Sequence, residues 1–235
     1  MASAVRAVGS FLGMRAMPAA AAMSAAAEGT SEACYRRGRA AGRSAQRRAH
    51  FLEGIAIARA RLVSDAGSAS GDPEALFWLA VNLGAEALER GRLQALPVLP
   101  EMERLLQRCH AADPRYQHAG AARVLGRLYD KAPPLISLGS VARARQWLES
   151  ALELDPDFPG NLAFAADFFG RQGDVERARR LAELCRVRME AAPSDGELGP
   201  DAAEWRAIVT GILARSRGTG KAEPGASGTA PKGRR

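Results

Sequence analysis

Residues 159–193 read PGNLAFAADFFGRQGDVERARRLAELCRVRMEAAP, and their spacing decides the fold. Leu162, Ala165, Ala166 and Phe169 recur at the three- and four-residue intervals of a helix face. Gly173-Asp174 breaks the run, Ala178, Ala182 and Cys185 resume it, and Ala192-Pro193 stops it. A helix, a tight turn and a second helix follow from that pattern, expected over Asn161–Arg171 and Val175–Ala191.

Two upstream segments lie in register with this one. Leu76, Leu79, Ala80 and Leu83 are followed by Met102, Leu106, Cys109 and the stop Asp113-Pro114. Leu125, Gly126 and Tyr129 are followed by Ala144, Leu148, Ala151 and Asp155-Pro156. Self-similarity at this period marks an array of helical hairpins, each too thin to bury its apolar face alone. Asp72-Pro73-Glu74 has the chemistry of a helix start: a capping carboxylate, a proline where no amide bond is lost, and an acid against the dipole. The helices expected from it are 72–90 with 101–112, and Gln117–Lys131 with Val141–Leu154. The fold class is all-α, a tetratricopeptide-like α-α hairpin solenoid with irregular repeats and a C-terminal capping helix.

Around this array, Ser31–Val63 reads as a degenerate first hairpin broken near Gly42, with Leu52, Ile55, Ala56 and Leu62 on one stripe. Trp205, Ile208, Val209, Ile212 and Leu213 form one face of a last helix after Pro200-Asp201, and a solenoid needs such a cap. The helical repeat domain is set at 31–214. Residues 1–30 are low-complexity and loosely leader-like, and residues 215–235 are a basic tail too polar to order itself. The first two repeats carry insertions between their helices, at Leu93–Pro100 and at Ala132–Ser137. In a stacked solenoid both fall on one edge, to fold back over the hairpins or to meet a partner or a second copy.

The formal charge of +7 is unevenly placed. Residues 1–50 carry +6 and residues 215–235 carry +5, which leaves the body at −4. That distribution argues against nucleic acid as a partner. The run Arg36, Arg37, Arg39, Arg43, Arg47 and Arg48 would suit an anionic membrane surface, but a solvated helix face explains it as well. Three cysteines at long spacing form neither a disulfide framework nor a metal knuckle, and Cys109 and Cys185 share the repeat position of Ala151, a core position. No nucleophile elbow, phosphate loop, dinucleotide fingerprint or zinc-protease motif occurs, so the chain is expected to be non-enzymatic and without cofactor or metal. Asp155 and Asp157 flank a proline turn and are expected as caps.

The concave side of the array is the candidate site. Repeat register turns inward Phe77, Val81 and Ala85, then Arg123, Arg127 and Asp130, then Ala163, Asp167 and Arg171. The expected occupant is an extended protein or peptide partner, or an acyl-like ligand whose anionic end Arg123 and Arg127 would clamp. The alternative is that these arginines pair with Asp130 and Asp167 across repeats.

Three stretches carry a family resemblance: PEALFWLA at 73–80, ARVLGRLY at 122–129 with Lys131-Ala132-Pro133, and 142–156 leading to Asn161-Leu162. With the long linker between the first two repeat helices, they resemble the TRAP transporter T-component (TatT-like) family. That resemblance implies irregular tetratricopeptide-like hairpins, a homo-oligomer (in that family a trimer around a pore), and pairing with a periplasmic substrate-binding protein. It also implies an accessory that shelters a small hydrophobic solute. Where the family often shows Gly-Gly-Ala-His-Arg, this chain has HAGAAR at 118–123. The cytoplasm is favoured as location, or the periplasm if residues 1–30 are a leader.

Overall fold

Each expected hairpin forms, and its boundaries have local causes. In a computed structural model of the chain, residues 29–64, 71–133, 138–192 and 198–219 are described. Thr30 accepts a hydrogen bond from the Ala33 amide and opens α1 (Ser31–Ala40), which is followed by α2 (Ser44–Ser64). Asp72 accepts from the Glu74 amide, with Pro73 in the first turn, and opens α3 (Pro73–Arg90). The segment expected as the first insertion is itself helical, as α4 (Arg92–Ala95), a 3-10 turn (Leu96–Val98) and α5 (Leu99–Ala112). Ala95 is buried and Val98 and Leu99 pack on the core, while Leu93 stays exposed. In the second insertion, residues 134–137 lie outside the described residues.

The second repeat is α6 (Tyr116–Lys131) with α7 (Val141–Leu154), the latter capped by Ser140. The third is α8 (Pro159–Arg171) with α9 (Val175–Glu190); Asp174 caps α9 and Gly173, at φ +88°, makes the turn between them. The last helix, α10 (Ala202–Thr219), lies against α8 and α9 and caps the array. It runs past the expected boundary of the tail at residue 215, whose remainder, like residues 1–28, lies outside the described residues.

Neighbouring helices pack in pairs, so the described chain is an all-helical α-α hairpin solenoid. The repeat positions read from sequence are its core: Leu76, Leu106, Leu125, Leu148, Leu162 and Phe169 are all fully buried. Cys109, Ala151 and Cys185 are fully buried at equivalent positions, as expected. The Cys109 thiol donates to the Pro73 carbonyl at 3.4 Å and the Cys185 thiol to the Pro159 carbonyl at 3.2 Å, tying the second helix of a repeat to the first turn of its partner. Asp155 is the C-cap of α7 through its backbone amide, but neither the Asp155 nor the Asp157 carboxylate caps α8. Their carboxylates reach sideways instead, to His118 at 2.8 Å and Arg188 at 2.6 Å.

Within the second repeat, α6 and α7 approach so closely that a Cβ on Gly126 would lie 2.5 Å from Leu148 Cγ and 3.2 Å from its backbone nitrogen. Gly126→Ala is therefore expected to destabilise the fold by about 1–3 kcal/mol through overpacking. Gly42→Ala, which meets nothing within 4 Å, should be near neutral. Urea denaturation of both variants checks the contrast.

Candidate ligand-binding site

Three consecutive residues at the start of α6, Gln117, His118 and Ala119, have φ of 50°, 57° and 57°. None is glycine, and the left-handed region costs an L-residue roughly 1–2 kcal/mol. The turn persists because its carbonyls are gripped from the core side. Arg123 Nη1 donates to Gln117 O at 3.2 Å, to His118 O at 3.0 Å and to Asn161 Oδ1 at 3.1 Å. Asn161 Nδ2, fully buried, lies within donating distance of His118 O, Ala151 O and Asp155 O. The turn in the second repeat thus stands where the other two have Pro73 and Pro159, and it swings Arg123 inward.

Arg123 opens onto a cavity of about 500 Å³ on the inner side of α3 and α6. Its wall is strongly aromatic. Tyr35 and Trp78 rings lie 5.6 Å apart, Trp78 and Phe77 5.0 Å, and Phe158 meets Trp205 edge-on at 5.3 Å. Val81, Ala85 and Val124 add aliphatic surface, and Arg123 stacks over the Phe158 ring at 4.8 Å. The volume falls within the range of about 300–1,000 Å³ usual for small-molecule sites.

The residues expected in the groove divide into two groups. Phe77, Val81, Ala85, Arg123 and Arg127 line the cavity. Asp130, Asp167 and Arg171 do not line it: Arg171 pairs with Asp130, and Arg127 Nη1 holds Asp167 at 2.9 Å. Ala163 is fully buried in the core. Arg127 is spent twice over, since its Nη2 also holds Glu204 at 2.7 Å and its guanidinium covers the Phe164 ring at 4.2 Å. The cross-repeat pairing therefore describes Arg127 and Arg171, whereas Arg123 has no carboxylate within 4.0 Å among the described residues.

Sequence reading missed the part of the wall that comes from the ends of the chain. Arg39 on α1 pairs with Asp201 at 3.0 Å, and the Tyr35 hydroxyl donates to the same carboxylate at 3.1 Å. These contacts join the first described helix to the turn that opens α10, so the trough between repeats becomes a partly roofed chamber. The basic run on α1 and α2 is largely neutralised in the process: Arg36 meets Glu32, Arg37 Glu53, Arg47 Glu89 and Arg48 Glu86. No described helix is long and apolar enough to cross a membrane.

Among the described residues, the chain is an all-helical hairpin array with an aromatic chamber onto which one buried guanidinium, that of Arg123, opens. The model of the TRAP transporter T-component family matches residues 19–195, well over half of the chain, and the chain belongs to that family. The match ends before α10, which supplies Trp205 and Glu204 to the chamber. No curated protein sequence matches the chain.

Asn161→Ala removes the carboxamide's contacts with Arg123, His118 O, Ala151 O and Asp155 O; His118 O keeps Arg123 and Ala151 O keeps the Asp155 amide, while Asp155 O loses its side-chain donor. The expected loss is about 3 kcal/mol, measured by denaturant unfolding. Asn161→Asp should also destabilise, because it keeps an acceptor for Arg123 but turns a carboxylate toward three carbonyls.

Proposed function

We propose that this chain is a non-catalytic accessory of a TRAP-type transport system that holds a small, largely apolar solute in its chamber. The observation that carries this reading is the chamber itself: about 500 Å³, walled by Tyr35, Phe77, Trp78, Phe158 and Trp205, in a chain of the T-component family. Burial of apolar solute surface supplies the affinity, at roughly 25 cal/mol for each Å² removed from water. Aromatic rings suit the task because they present large apolar area without losing much rotamer freedom on binding.

An extended peptide in an open groove is less well supported. The turn before α10 reaches across to α1 on that side, and the inward charges Arg127, Asp167, Asp130 and Arg171 satisfy one another. Ionic side chains already paired offer a peptide little new attraction. Action as a homo-oligomer, and delivery of the solute to or from a periplasmic substrate-binding protein, complete the proposal.

The neutral dye Nile red is expected to bind the full chain with a blue-shifted emission. Ala85→Trp, which fills the chamber from α3, should weaken that binding at least about tenfold, the scale set by loss of most of a small ligand's buried area. Dye binding that is absent, or that Ala85→Trp leaves unchanged in a folded protein, would refute the chamber reading.

A further inference from the structure

Four of the five arginines that line the chamber have a carboxylate within 4.0 Å: Arg36 with Glu32, Arg39 with Asp201, Arg47 with Glu89 and Arg127 with Glu204. The fifth, Arg123, is the most deeply buried, at 8% exposure, and has none among the described residues. A buried cation without a counterion is unfavourable and normally acquires one. Burial pushes the Arg123 guanidinium down to about 10, which leaves it cationic at neutral pH.

The carboxylates nearest to it are committed elsewhere. Asp201 is held by Tyr35 and Arg39, Glu204 by Arg127, and Asp155 by His118. Nη1 of Arg123 is filled by three neutral oxygens, and Nε and Nη2 have no acceptor among the described residues. A second donor belongs to a side chain packed on the same aromatic ring as Arg123. Trp205 is 3% exposed, its indole Nε1–H is buried without an acceptor among the described residues, and its ring meets the same Phe158 that Arg123 covers.

We infer that Arg123 and the Trp205 indole N–H form an anion subsite for the single carboxylate of an amphiphile whose apolar tail lies along Phe77, Val81 and Ala85. This rests on the reading of the chamber as a solute site and names the class of solute. A carboxylate matches the donors in number: one planar guanidinium edge for two oxygens, and one indole N–H for the lone pair left over. A phosphate monoester matches them poorly. It would bring a second negative charge and a third oxygen into a wall that already holds Asp201 and Glu204.

The test is isothermal titration of the full chain at pH 7.5 with decanoate, 1-decanol and decyl phosphate. Decanoate should bind about tenfold or more tighter than 1-decanol, the scale of one charge-assisted contact in a partly dry site. Arg123→Gln should bring decanoate down to the level of the alcohol and leave 1-decanol within about twofold. Trp205→Phe keeps the ring against Phe158 and removes only the donor, so it stands in if Arg123→Gln does not fold. It should weaken decanoate about three- to fivefold and spare the alcohol.

Equal binding of decanoate and 1-decanol would overturn the subsite and leave the chamber reading intact. So would a decanoate-to-decanol ratio unmoved by Trp205→Phe. Tighter binding of decyl phosphate than of decanoate would overturn the assignment to a carboxylate. If none of the three binds and Nile red does not either, the chamber reading itself fails.

Discussion

A single buried carboxamide, Asn161, holds together the three backbone segments from which the chamber is built. Its nitrogen serves the last carbonyls of α7 and a carbonyl of the left-handed turn that opens α6, and its oxygen accepts a hydrogen bond from Arg123. Those carbonyls are buried or partly buried, where an unmet acceptor is costly. The left-handed turn at Gln117–Ala119 can then exist without glycine, because its otherwise orphaned acceptors are bound from both sides. Remove that grip and nothing in the local sequence would hold three L-residues at positive φ.

The turn decides where charge sits. In the first and third repeats a proline starts the helix directly, and the residues equivalent to Arg123 are Phe77 and Ala163, both apolar. In the second repeat the left-handed turn replaces the proline, and a guanidinium takes the inward position because carbonyls have been turned toward it. Aromatic rings cover what the carbonyls do not, with Phe158 stacked on His118 at 4.3 Å and beneath Arg123 at 4.8 Å. The site is thus a departure from the repeat, and the repeat supplies the rigid frame that makes the departure hold.

That division explains what could be read from the chain in advance. Leu76, Leu125, Leu148 and Phe169 were legible because a period of 3.6 residues is local, and every helix of the repeats obeys it. Phe77, Val81, Arg123 and Arg127 followed from repeat register. Asp130, Asp167 and Arg171 followed it too, but register says nothing of reach: their long or acidic side chains find one another before they find the chamber. Tyr35, Trp205 and Asp201 were out of view for a different reason. They meet the site only because residues far apart in sequence, 35 and 201, share a hydrogen bond, and no periodicity announces such a contact. The amphipathic face of α10 was visible, but the indole nitrogen within it that lacks an acceptor among the described residues was not.

The three thiols carry a separate consequence. Cys34, Cys109 and Cys185 are fully buried, and burial raises all three, the latter two to about 12. Oxidants and disulfide-exchange catalysts act on the thiolate, which these groups scarcely populate at neutral pH. Once folded, the chain therefore offers oxidants and disulfide-exchange catalysts three poor targets.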